Sequence, residues 1–318
     1  MPRPGEGKVD CTVIAGRVHQ TLSSAYPLKL LSPEAVHNPD TRLIPAVSYI
    51  LSYGGGIVHG DQIHVDATAG SGSALLLLTQ GSTKVYRQRP GRPPSYLKNP
   101  KNDSKFDIHQ TYQTLVVDVQ ANAMVCLLPD PVTCFEHAKY NQRQVVRMAD
   151  ASASLVLLDW VTSGRMSRGE RWVFDKYLSV NAVLVGGKLV IRDALLLEDA
   201  RALSKDRETS SFKRRLADID VFAYLLVLGP EVAKIAKVFR DEHAEHRIKP
   251  FRPNARAVDA EETDIRWSVS EVAEHGLEGV AVRVAGPSTE AVKWWIKKRI
   301  GGLQSVVGDS AWSMYYNA

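Results

Sequence analysis

The stretch Gly54-Gly55-Gly56-Ile57-Val58-His59-Gly60-Asp61-Gln62-Ile63-His64-Val65-Asp66-Ala67-Thr68, followed at once by Ser73-Ala74-Leu75-Leu76-Leu77-Leu78-Thr79, decides the fold. From Gln62 to Thr68 the chain alternates. Ile63, Val65 and Ala67 fall on one face, and His64, Asp66 and Thr68 on the other, the period-two signature of a half-buried strand. Ser73 to Thr79 is instead an unbroken apolar run, as in a strand covered on both faces. The three glycines lead into no helical pattern, which excludes a nucleotide-binding loop at this point.

Working outward, further strands are expected at 7–18, 43–53, 111–119, 123–128, 154–160, 170–178, 181–185, 188–195, 221–228 and 280–285. Gly186-Gly187 between two such runs reads as a two-residue hairpin turn. Only two helices stand out. Residues 230–246 place Val232, Ile235, Ala236 and Phe239 at helical spacing behind a first-turn Pro230. Residues 288–300 open on a capping Ser288 and close on a basic last turn, where the helix dipole favours cations. So many short strands with so few helices predict a mainly β fold. We expect a single domain over 1–318, with surface loops at 88–105 and 247–263, where prolines and charges concentrate.

Composition narrows the function. Forty Lys and Arg against 35 Asp and Glu give a net charge of +5, but the cations are spread among the acids, so no dedicated nucleic-acid surface is expected. Three cysteines, Cys11, Cys126 and Cys134, form no CxxC pair and predict no disulfide framework; a reducing, cytoplasmic address follows. The chain starts without a signal-peptide pattern, and no apolar run approaches the ~20 residues a membrane helix needs.

The residues that could carry chemistry are few. His59, Asp61, His64 and Asp66 offer imidazole and carboxylate ligands of the kind nickel or zinc accepts. On a straight strand 59 and 61 share one face and 64 and 66 the other, so convergence needs a bend, which Gly60 could supply; otherwise Asp61 closes a turn and His64 and Asp66 face water. No P-loop, GxSxG elbow or HExxH motif is present, and no nucleophile is set beside a base.

Five motifs, taken together, resemble urease accessory proteins of the D type (UreD, called UreH in some bacteria). They are the GG-I-V-x-G-D turn at 55–61, the TQ-x-x-TKVYR strand end at 79–87, the proline corner at 128–135, the SGR-x-x-x-GE turn at 163–170 and the R-V-A helix entry at 283–292. The wording of 130–135 and the segment 247–263 look like the eukaryotic branch, fungal or plant-like. The resemblance implies a helical β-roll with a few helices. It also implies a non-enzymatic chaperone that docks on urease apoprotein together with the F-type and G-type accessory proteins, and helps pass nickel to the urease active site. No cofactor is permanently bound in such a protein; nickel passes transiently. By motif, Asp61, Asp66, Thr79, Lys84 and Glu170 would line the passage, with His59, at a position where the family has a small residue, and His64 as further ligands. The aromatic groups Trp294, Trp312, Tyr315 and Tyr316 are of the type that anchors partner surfaces, with packing onto the β body as the alternative. Two other functions stay open from the residues alone: an all-β hydrolase using Asp61, Asp66 and Glu170 as acid and base, and a basic binding module.

Overall fold

The computed structural model describes residues 2–89, 110–198, 211–216, 218–248 and 264–317. The chain opens with an antiparallel hairpin, β1 (Glu6–Ile14) and β2 (Arg17–Ser24), then β3 (Leu28–Leu31). It next winds between two sheets. β4 (Ile44–Ser52) leads to β5 (Gln62–Ala69) in the opposite sheet. β6 (Ser73–Leu78) and the short β7 (Thr83–Val85) lead to β8 (Thr111–Val119). β9 (Met124–Leu127) and β10 (Val132–Cys134) lead to β11 (Lys139–Met148), and β12 (Ser154–Thr162) leads to β13 (Lys176–Val185).

Within the first sheet β1, β5, β8, β11 and β13 run parallel; in the second β4, β6, β9 and β12 do. This parallel winding is a helical β-roll. Its C-terminal end is extended by antiparallel strands, β14 (Lys188–Glu198) on the first sheet and β15 (Val221–Leu228), β16 (Arg266–Glu274) and β17 (Leu277–Gly286) on the second.

The helices are α1 (Ser211–Arg215), α2 (Ala233–Ile248), α3 (Thr289–Ile300), α4 (Gln304–Val307) and α5 (Asp309–Tyr316). Val232, Ile235, Phe239, Trp295 and Ile296 meet the outward residues of β6, β9, β12 and β15, so the second sheet is buried on both faces. That is why β6 and β12 read as unbroken apolar runs. The first sheet packs one face on the second, through Val65, Leu75, Val117, Leu157 and Val183 among others.

Several expectations need correcting. Residues 7–18 are two strands, because Ala15 and Gly16 take positive φ and turn the chain. Residues 170–175 are not strand; β13 begins at Lys176. The first helix runs 233–248 behind a 3-10 turn at 230–232. The hairpin at Gly186-Gly187 is present, both with positive φ, and Ser288 caps α3 by accepting from the Ala291 N–H at 3.1 Å. The expected loops at 88–105 and 247–263 lie outside the described residues except for 88–89 and 247–248. At the tight turn after β5, a Cβ on Gly70 would stand 2.8 Å from the Cys11 carbonyl oxygen, so only glycine lets the two rungs close there.

Candidate functional site

The inward positions of β12 are Leu155, Leu157, Asp159 and Val161, so the strand inserts one carboxylate between the sheets. Facing it are the inward positions of β11 and β13: Tyr140, Gln142 and Gln144, and Tyr177, Ser179 and Asn181. The Asp159 carboxylate accepts from Gln142 Nε2 at 2.8 Å, Ser179 Oγ at 2.6 Å and Asn181 Nδ2 at 2.7 Å, with the Tyr177 hydroxyl at 3.4 Å. The Tyr140 hydroxyl lies 2.9 Å from Gln113 Oε1 and 3.0 Å from Gln142 Oε1.

All the hydrogen-bond partners of Asp159 are neutral donors. Burial pushes its pKa up, and the donated hydrogen bonds from Ser179, Asn181 and Gln142 pull the other way. Asn181 is 1% exposed, and its Oδ1 has no hydrogen-bond partner. A carboxylate held by neutral donors, beside an orphaned amide oxygen, sets a cluster of polar groups between two otherwise apolar sheets.

Two voids reach this place, and a third adjoins the smaller of them. A small one of about 30 Å³, room for a single water, is lined by Thr79, Gln113, Asp130, Gln142, Gln144 and Asp159 among others. Asp159 also lines a cavity of about 390 Å³ at the C-terminal end of the roll, walled by Tyr177, Asp193, Tyr224, Trp267 and Arg283. Asp130 also lines a surface groove of about 510 Å³ with Ser82, Thr133, Ser163, Asp220 and Glu290. Asp130 and Asp159 thus stand where successive voids meet. Arg283 of β17 pairs with Asp193 of β14 at 2.5 Å across the larger cavity, and Asp130 pairs with Lys293 at 3.0 Å.

The residues singled out from sequence are distributed differently. Thr79 lines the small void, accepts from the Asp130 N–H at 2.8 Å and donates to the Gly81 carbonyl. Asp61 is buried, but its Oδ2 accepts from the Val58 N–H at 2.8 Å and holds the turn at Gly60, whose φ is +80°. The turn buries His59 and Asp61 and leaves His64 and Asp66 on the bare outer face of the first sheet, 3.2 Å from each other. Glu170 is held by both arms of Arg165, which also lies 3.9 Å from the centre of the Phe135 ring. That hydrogen bonding lowers the Glu170 pKa below its ordinary value. Lys84 is exposed on β7.

Asp61, Asp66, Glu170, His59, His64 and Lys84 line none of these three voids. Among the described residues no three His, Cys, Asp or Glu gather as a metal site. Asp61 and Glu170 sit in separate turns, each engaged by its own neighbours, and so do not form the acid–base pair a hydrolase would use. Of the four aromatic groups, Trp312 and Tyr315 are buried against the second sheet, whereas Trp294 and Tyr316 are 44% and 53% exposed.

Sequence reading missed Asp159, Gln142 and Asn181. One signal was available: Asp159 is the single acid within the apolar run 154–161.

The model of the family described as UreD urease accessory protein matches residues 5–314. The chain belongs to this family. It is 33% identical to urease accessory protein 4 of Cryptococcus neoformans, over 97% of this chain and 94% of that protein. It is 31% identical to urease accessory protein D of Oryza sativa subsp. japonica, over 96% of this chain and 94% of that protein. With the UreD protein of Sorangium cellulosum the identity is 34%, over 96% and 83% of the two chains. The names of these UreD relatives support a role in urease maturation. No helix among the described residues is long and apolar enough to cross a membrane.

Proposed function

We propose that this UreD-family chain is a non-enzymatic scaffold of urease maturation. It docks on urease apoprotein together with the F-type and G-type accessory proteins, and it lets nickel pass through its own interior. The observation that carries the passage is Asp159, a buried carboxylate held by neutral donors where two voids meet. Nickel is the cargo. A conduit must release its ion, so sparse, wet oxygen ligands suit it better than thiolates. The thiols of Cys126 and Cys134 fit this division, since burial pushes their pKa values up and leaves them as apolar packing groups.

The test is co-expression of urease with its accessory proteins and either the wild-type chain or Asp159→Asn, followed by measurement of nickel per urease. The expected result is a several-fold loss of nickel and activity, with the complex still assembling. Unchanged nickel content would overturn the interior passage. Fully active urease in a strain lacking the chain would overturn the role in maturation.

A further inference from the structure

Helices cover the outer face of the second sheet, whereas the first sheet turns a different kind of face outward. On β13 the outward residues are Leu178, Val180, Ala182 and Leu184. Their neighbours on β14 are Leu196, Ala194, Arg192 and Leu189. Val145 lies beside Ala182, and Val116 beside Val145. Leu189 and Leu196 are 56% and 53% exposed, and none of the apolar residues of this strip is part of either core cluster. A contiguous apolar strip on a folded surface marks an interaction site.

Size and charge describe the occupant. The seven residues from Leu178 to Leu184 span about 20 Å, and the four strands β8, β11, β13 and β14 about 15 Å across. That is the footprint of one α-helix, about 10 Å in diameter and 13 residues long. Exposed Arg143 and Arg192 stand within the strip, with Lys139 and Lys176 at one end beside Glu198. Arg147, at the other end, is already engaged by Asp118 at 2.6 Å. The strip is therefore rimmed by a surplus of cations.

We infer that this face seats an amphipathic helix of a partner protein, its apolar stripe flanked by carboxylates. A second copy of this chain fits poorly, because a two-fold contact would gather the Arg143 and Arg192 cations of both copies in one shared patch. A membrane fits poorly too, because none of the strip's apolar residues is an aromatic of the kind that anchors at an interface.

The inference rests on the maturation reading only for where the partner is sought. The chain, tagged, is co-expressed with urease apoprotein and the F-type and G-type accessory proteins, and the complexes are purified through the tag. Hydrogen exchange is followed at 178–184 and 189–196. We expect protection there in the complex, and at least tenfold less bound partner for Val180→Glu and Leu196→Glu, with melting temperature unchanged within about 3 °C as for other surface changes. Arg143→Glu, which removes no packing, keeps the test valid if a leucine or valine variant fails to fold; it should weaken binding and do so less at high salt.

Protection confined to other surfaces, with full binding by the variants, would overturn the inference and leave the maturation reading intact. Failure of every partner to co-purify with the wild-type chain would overturn both. Loss in the variants of a homodimer, or of binding to anionic phosphatidylserine vesicles, in place of loss of partner binding, would overturn it in favour of those occupants.

Discussion

Two halves of the roll's interior differ in kind. Next to the tight turns, Leu155 and Leu157 of β12 share a core with Val146, Met148, Val183 and Val185, all essentially dry. One pleat further along the same strands, Asp159 faces Gln142, Ser179 and Asn181. The secondary structure and the inter-sheet geometry are shared; only the residue types change. Apolar side chains of similar volume would stabilise a fold at least as well as a buried polar network does. The polar half is therefore better explained by use than by stability, and its cost is contained because nearly every group in it is paired.

The sharpest way to break this comparison is to put a second carboxylate in the dry half. Val183 is fully buried on β13, two residues after Asn181 on the same face. Val183→Asp offers a carboxylate no donors, and an unpaired buried charge costs several kcal/mol, here about 4 or more. Urea denaturation should find the variant largely unfolded. A folded variant within about 1 kcal/mol of the wild type would mean that the interior tolerates charge anywhere, and that Asp159 is nothing special.

The same comparison shows what the sequence could reveal. The dry half was legible: β5, β6, β8 and β12 announce themselves by alternation or by unbroken apolar runs. β11 was not. Its inward residues Tyr140, Gln142 and Gln144 alternate with Asn141, Arg143 and Val145, so the polar contrast that marks a strand disappears where the polar interior begins. The candidate site was hidden for the same reason that it is a candidate. The motif residues were legible as a family pattern, and Asp61 and Glu170 prove to be held by the turns around them. α5 went unread because its eight residues, Asp309–Tyr316, carry too short an apolar stripe to establish a period.

Glu170 gives a smaller effect, with a definite pH dependence. Its folded-state pKa lies below the ordinary 4.5 because Arg165 donates to it. The stabilisation is then complete above about pH 4.5 and lost as pH falls through the depressed value. Glu170→Gln should cost about 1–2 kcal/mol at pH 7, the scale of a charge-assisted hydrogen bond. The gap to the wild type should close on acidification toward pH 3. Melting curves across that range check it; a gap constant with pH would mean that packing, and not the ion pair, holds the turn at 163–170.

Asp159→Asn should be gentler on the fold than its burial suggests. The new amide needs an acceptor for its N–H groups, and Asn181 Oδ1 stands unpartnered beside it. Rotation of the Asn181 amide turns that oxygen toward the new donor, and stability should change by less than about 1 kcal/mol. A loss above about 3 kcal/mol in urea titration would show the carboxylate to be structural, and any accompanying loss of nickel transfer would then say nothing about a passage.

The smallest effect is expected at Asp66, and it carries the comparison furthest. Asp66 and Asp159 are both carboxylates on strands of the roll, but Asp66 points out of the first sheet toward His64 at 3.2 Å, half exposed, while Asp159 points in. An exposed side-chain contact of this kind is worth little, so Asp66→Asn should shift stability by no more than about 0.5 kcal/mol. Nickel per urease should equal that of the wild type, because the carboxylate touches none of the three voids. If Asp66→Asn instead lowers nickel transfer as much as Asp159→Asn does, the ion travels over the outer face, and the polar half of the interior owes its composition to something else.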